Sequence, residues 1–219
     1  METKIVDLTQ SLEEGMQTYW GYWHPTVEIS ILGRHGIENR QTQKLTFGSH
    51  TGTHIDAPKH FIKDGNTVDN IPLQTLKGPA RMVDFTELGD LHEITFQEMQ
   101  DKLKGKIPER LVLRFNWERM LMTSEYYQLH PYLSESCARW LVEGGCRLIA
   151  LDTPNPDCPN NNRDCDLDSP VHKILLNADV VIVEGLVNTC QLPESFTLVV
   201  APLKIKDGDG APSRCFAEF

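Results

Sequence analysis

Twelve residues, His50-Thr51-Gly52-Thr53-His54-Ile55-Asp56-Ala57-Pro58-Lys59-His60-Phe61, constrain this chain more than any other stretch. Three histidines and a carboxylate fall there on even-numbered positions. In an extended backbone, side chains alternate between faces with a period of two. His50, His54, Asp56 and His60 would then share one face. A helix would keep His50 beside His54 but turn Asp56 away from both. The β-branched Thr51 and Thr53, with Gly52 and Pro58 nearby, disfavour a helix as well. Imidazole nitrogens together with a carboxylate oxygen suit a divalent transition metal such as zinc or manganese.

The totals narrow the function classes. A length of 219 residues suits one domain spanning 1–219, with room for a real core. With 31 acidic against 21 basic residues and a net charge of −10, non-specific nucleic-acid binding is not expected. No lysine or arginine block tracks a phosphate backbone. The apolar runs Val180–Val183 and Leu198–Ala201 are strand-sized, so no membrane span is expected. The start, Met1 to Asp7, lacks the charged-then-apolar build of a secretory signal, and a cytoplasmic location is expected. Six cysteines occur with no Cys-x-x-Cys pair, so free thiols are the expectation. Cys158 and Cys165 flank a polar loop and form the one pair placed to bridge or to bind metal.

Along the chain, Ile5–Leu8 reads as a strand. It is followed by the aromatic cluster Tyr19, Trp20, Tyr22 and Trp23, which suits a core, a subunit interface or a pocket wall for a flat ring. Thr26–Leu32 alternates, with Val27, Ile29 and Ile31 expected inward. Gln41–Ser49 does the same with Leu45 and Phe47, and Gly48 is a candidate bulge before His50. Thr95 with Glu98 predicts a capping box for a helix to about Lys104. Ser134 is expected to cap a helix ending at Gly144-Gly145. Strands are expected at Arg81–Phe85, Leu111–Phe115, Arg147–Leu151, Val180–Val183, Thr197–Ala201 and Arg214–Phe219. Asn155–Asp168 reads as a loop. Ser169-Pro170 is expected to open a helix with serine as cap, burying Val171, Ile174, Leu175 and Ala178. Strands early and alternating helices and strands later give an α/β or α+β fold with a mixed sheet.

Two later residues stand out by position. His172 falls in the first turn of the expected helix, and Glu184 ends an apolar strand where an unpaired carboxylate would cost several kcal/mol. A neighbouring arginine would satisfy Glu184; a metal would satisfy both residues at once. Asp152 ends another core strand at an expected pocket rim and reads either as a support behind the site residues or as a loop cap. His24, His35, His92 and His130 read as surface histidines, and Lys59 as solvated.

At this point the residues carry a resemblance. The His50–Phe61 motif, with Asp168-Ser169-Pro170-Val171-His172 and Glu184-Gly185-Leu186, resembles the cyclase-type metal-dependent hydrolase family, which includes bacterial kynurenine formamidase and isatin hydrolase. The similarity runs from Asp7-Leu8-Thr9 to Ala211-Pro212-Ser213-Arg214. It implies an α/β fold of the swivelling β/β/α type with a mixed β-sheet core. It also implies a homo-oligomer, dimer or tetramer, whose neighbouring subunit contributes to the active site. The formamidase pattern implies zinc, one or two ions, held by His50, His54, Asp56, His172 and Glu184, with Asp56 and Glu184 bridging. His60 would give and take the proton. The isatin hydrolase pattern implies a single manganese held by His50, His54 and Asp56. Tyr19 and Trp20 fall where formamidases place a substrate-contacting tryptophan, although Thr18-Tyr19-Trp20-Gly21-Tyr22 departs from the Val-Trp-Pro-Gly-Asp pattern there.

The expected activity is attack of a metal-activated water on the carbonyl of a small amide, an aryl formamide such as N-formylkynurenine or a cyclic amide such as isatin. The same polarised carbonyl would serve a lactone hydrolase or a ring-closing dehydratase. A metal-binding protein without turnover is the rival from another class.

Overall fold

The apolar runs pair edge to edge until the sheet meets itself. In this computed structural model, which describes residues 3–160 and 168–219, the strands are β1 (Ile5–Asp7), β2 (Glu28–Gly33), β3 (Thr42–Thr46), β4 (His54–Asp56), β5 (Lys77–Asp84), β6 (Glu93–Ile94), β7 (Arg110–Arg114), β8 (Tyr132–Leu133), β9 (Leu148–Leu151), β10 (Val181–Glu184), β11 (Ser195–Pro202) and β12 (Gly210–Glu218). The helices are α1 (Leu73–Leu76), α2 (Phe96–Leu103), α3 (Glu135–Glu143) and α4 (Pro170–Asn177). The order β12-β11-β5-β7-β9-β10-β4 closes because β4 pairs back onto β12. Gly210–Pro212 of β12 pair with β4, and Phe216–Glu218, further along the same strand, pair with β1.

Strands β5, β7, β9 and β10 run parallel, and the other pairings of the ring are antiparallel. Parallel neighbours need crossover connections, and α2, α3 and α4 lie on those connections. Strands covered on both faces can be apolar throughout, and Leu148–Leu151 and Val181–Val183 are. Leu148, Ala150, Val181 and Val183 join Ile55, Ala211, Cys215 and Ala217 in one apolar cluster inside the ring. Ile149, Leu151 and Ile182 point the other way, against Met99, Leu103, Leu141 and Leu175 under the helices. The result is the expected α/β fold with a mixed-sheet core, closed into a seven-stranded barrel.

Local signals resolve case by case. The Thr95–Glu98 capping box and the Ser134 cap are both present, and Gly145 takes the left-handed conformation after α3. Ser169 does not cap α4. It sits at φ 51° with no capping bond, and the Asp157 carboxylate accepts from Val171 N (2.7 Å) and His172 N (2.9 Å) instead. The two oxygens of Asp157 reach the helix end that a hydroxyl at Ser169, turned by its left-handed backbone, cannot. Ala178 lies exposed beyond the end of α4, and Leu176 takes a buried place.

The hairpin β2–β3 forms as a separate two-stranded sheet. Val27 is buried, but Ile31 is 58% and Leu45 54% exposed, because nothing among the described residues covers that face. Among the described residues, no helix is long and apolar enough to cross a membrane. Cys137, Cys146, Cys158, Cys190 and Cys215 are free thiols. Cys165 lies outside the described residues, as does the 161–167 part of the loop expected between Asn155 and Asp168.

Candidate metal centre

The four residues of the motif do not form one extended row. His50 sits in a turn after β3, Gly52 adopts φ +62°, only His54 and Asp56 stand on a strand, and His60 closes a 3₁₀ turn over Pro58–His60. The period-two argument therefore holds for His54 and Asp56 alone. A Cβ on residue 52 would lie 3.2 Å from Leu12 and 3.3 Å from Met16, so glycine allows the tight bend that swings His50 back toward the strand.

Register supplies the next member. Glu184 of β10 stands opposite His54, and Ile182 opposite Asp56. Directly opposed residues share a face, so Glu184 joins His54 and Asp56 on the helix side of the barrel, while Ile55 packs inside it. There, α4 lowers His172 onto the carboxylates. His172 Nε2 is 3.1 Å from Glu184 Oε1 and 3.4 Å from Asp56 Oδ2, and His54 Nε2 is 3.2 Å from Glu184 Oε2. His50 Nδ1 is 2.7 Å from Asp56 Oδ1. Three groups each bring one ligand atom per residue within 4.8 Å of one another: the partly exposed His50–His60–Asp209 and a deeper pair, His50–His54–Asp56 and Asp56–His172–Glu184. Asp56 belongs to both of the deeper pair.

The three imidazoles are held from behind. His54 Nδ1 lies 2.8 Å from the Gly52 carbonyl, His172 Nδ1 2.6 Å from Asp157 Oδ2 and His50 Nε2 2.8 Å from Asp209 Oδ2. An acceptor at one ring nitrogen leaves the other with a lone pair aimed at the centre, the usual dress of a metal-binding histidine. Asp56 and Glu184 are 1% and 4% exposed with no lysine or arginine bridged to them among the described residues. Two buried carboxylates this close suit a divalent cation better than each other.

Charge follows this geometry. Burial would lower His50, but Asp56 and Asp209 raise it to about 10. Burial would also lower His172, and hydrogen bonds to Asp157, Asp56 and Glu184 raise it well above the usual imidazole range. Burial pushes Asp56 up, and His50 and His60 bring it well below the usual carboxylate range. His60 moves the other way: burial lowers it, against the pull of Asp56 and Asp209.

A cavity of about 460 Å³ opens over the centre, walled by Tyr19, Trp23, Phe61, Tyr126 and Tyr127. His60 lines it, its ring tilted 31° against that of His50 with centroids 3.9 Å apart. Tyr19 lines it too. Trp20 does not; it stacks on Tyr19 at 5.1 Å and is 42% exposed.

Two of the histidines read as surface residues are not. His24 lines the cavity beside Tyr19 and His50, and burial, then the nearby His50, His54 and His60, lower it to about 4. His130 is fully buried, within hydrogen-bond reach of Pro131 O and Asn155. Lys59 is not merely solvated either, since its ammonium donates to Asp207 O at 2.8 Å. Asp152 does cap loops, accepting from Phe115 N, Asn116 N and Thr189 Oγ1, and burial raises it to about 7. Sequence reasoning passed over Asp157 and Asp209. Each is a carboxylate inside a stretch that reads as a turn, and no spacing rule ties position 209 to position 50.

The Cyclase family model matches residues 6–158. The chain belongs to this family of cyclase-type metal-dependent hydrolases. The match contains His50 to His60 and ends before His172 and Glu184, which full-length relatives cover. A kynurenine formamidase of Bacillus mycoides is 32% identical over 210 residues, spanning 95% of this chain and 94% of the relative. That of Bacillus anthracis is 30% identical over 212 residues, spanning 97% and 96%. Among solved structures, isatin hydrolase A from Labrenzia aggregata bound to benzyl benzoate superposes with a TM-score of 0.90 at 27% identity, covering 99% of this chain and 93% of that one. The chain is thus similar over nearly its whole length to enzymes of both names.

Proposed function

We propose that this family member hydrolyses a small amide, an aryl formamide or a cyclic amide, at a zinc centre of one or two ions, with manganese as the alternative metal. The observation that carries the reading is the convergence of three imidazoles, each held at its outer nitrogen, on two buried carboxylates beneath an aromatic cavity. His50, His54 and Asp56 would hold one ion, and Asp56, His172 and Glu184 would hold a second, with Asp56 common to the two groups. The donor set fits such an ion: nitrogen and oxygen atoms only, turned inward and shielded from water. When bound, the cation supplies Lewis-acid polarisation of a carbonyl and a more acidic water at neutral pH.

The chain's own groups account for the rest. His60 lines the cavity, and burial keeps it neutral and able to take a proton from water and pass it to a leaving nitrogen. Tyr19 forms a wall against which a flat ring packs, and Trp20 supports it from outside the cavity. The relatives named above act on a formylated aryl amine and on a cyclic aryl amide by their names, and the aromatic walls suit either. The exposed face of the β2–β3 hairpin, with Ile31 and Leu45, supports a homo-oligomer in which a second copy covers it.

Metal analysis of the purified protein followed by assay on N-formylkynurenine and isatin tests the proposal. Bound zinc with hydrolysis of one of the two is expected. Bound metal with no turnover on any amide or lactone would replace it with a metal-binding protein.

A further inference from the structure

We propose that Asp209 is a positioning residue whose one carboxylate oxygen sets both a metal-binding imidazole, His50, and the proton carrier, His60. Oδ2 of Asp209 lies 2.8 Å from His50 Nε2, 3.7 Å from His60 Nδ1 and 3.4 Å from Ser49 Oγ. The first is a hydrogen bond. The second is longer than one, the kind of catalytic contact that tightens only when a site is filled.

The carboxylate is placed by backbone bonded to β4 and to the His60 turn. Asp209 O accepts from Ala57 N at 2.9 Å, the residue just beyond the Asp56 ligand. Gly210 pairs with Asp56 across the β12–β4 ladder. A Cβ on residue 210 would stand 2.6 Å from Ile55 O and 2.7 Å from His50 Cε1, so the His50 ring lies flush against this glycine. Lys59, next to His60, donates to Asp207 O at 2.8 Å and ties the same loop to the 3₁₀ turn. One loop is therefore fastened to β4 on one side and to the His60 turn on the other, with Asp209 between them.

Two consequences follow. An acceptor at His50 Nε2 fixes the tautomer with the proton outward, leaving Nδ1 to face Asp56 and the ion they would share; such a carboxylate also raises ligand basicity. On the His60 side, the same oxygen favours the proton on Nδ1 and leaves Nε2 free to accept one. No hydrogen-bond partner of His60 Nε2 occurs among the described residues. The His50 half rests on ligand geometry alone, and the His60 half rests on the hydrolase reading.

The test is Asp209→Asn in the full-length protein, read by zinc affinity in chelator competition and by turnover at saturating zinc. Weakening of zinc binding by about 10- to 100-fold, with the melting temperature of the metal-free protein retained, is the expected result. At saturating zinc, kcat should fall at least about tenfold with KM little changed. Zinc affinity within about twofold of wild type overturns the His50 role; unchanged kcat at saturating zinc overturns the His60 role. If the wild-type protein hydrolyses no amide, weakened zinc binding still supports the His50 role while the hydrolase reading fails. Should the asparagine variant not fold, imidazole nitrogen NMR of zinc-loaded wild type decides. His50 must carry a slowly exchanging proton on Nε2, and zinc bound at that nitrogen overturns the proposal.

Discussion

The seam where β4 enters the barrel and the β2–β3 hairpin are built from neighbouring sequence and behave in opposite ways. β4 is three residues long, pairs on both edges and is buried at every position. The hairpin strands are six and five residues long and pair only with each other, leaving Ile31 and Leu45 more than half exposed. The hairpin has the cleaner alternation of apolar and polar residues, yet the seam is where polar side chains are immobilised. Alternation reports that a strand can present a face. It does not say what will cover that face, and in β4 two flanking strands and a helix do so.

If the seam is the chemical centre and the hairpin a docking face, substitutions should separate sharply. The largest effect belongs to Asp56, which faces both candidate ion sites. Asp56→Ala should abolish bound metal and lower turnover by a factor on the order of 10³ or more, measured by metal content and steady-state assay. Next, His60→Ala should leave metal content intact while turnover falls by a factor on the order of 10² or more. If metal leaves with it, His60 is a ligand and the division of labour is wrong.

Chelation should remove activity, restored by adding zinc, and lower the melting temperature, since a ligand at 100 times its Kd stabilises by about 2.7 kcal/mol. The direction with pH is set by His50 and His172, both raised above the ordinary imidazole value. Their protons compete with the cation, so zinc affinity should weaken as pH falls from about 8 to about 6; constant affinity across that range would sink the assignment of those imidazoles. Asp152→Asn should cost about 2 to 3 kcal/mol in denaturant unfolding, because an amide NH₂ would face backbone donors that now meet a buried carboxylate. The smallest effect is at the hairpin. Ile31→Ser should change the stability of the isolated chain by less than about 0.5 kcal/mol, yet weaken self-association measured by sedimentation. A large loss of stability with no change in association would erase the contrast between the two regions.

Much of the centre is legible from residue types. His50, His54, Asp56 and His60 stand close together in the sequence, and His172 and Glu184 reveal themselves by sitting where ionisable groups need partners. The reason they converge was not legible. The extended row failed at His50 and His60 because Gly52 bends the chain before β4 and Pro58 starts a 3₁₀ turn after it. Glu184 reaches His54 through strand register, and His172 reaches both carboxylates because Asp157, not Ser169, holds the start of α4. Tyr19 lines the cavity and Trp20 does not, while Trp23 and His24 line it beside Tyr19.

The sequence by itself determined the chemical vocabulary of this protein: imidazole and carboxylate donors, helix caps at Thr95 and Ser134, apolar strands for a mixed sheet, and a spare histidine beside the candidate ligands. These are properties of side chains and of spacings a few residues long. Only the tertiary structure decided the closure of β4 onto β12, the burial of His130, the exposure of the hairpin and the arrival of Asp209 behind His50 and His60. Each depends on contacts between residues far apart in the chain, where local periodicity carries no information about which surfaces will meet.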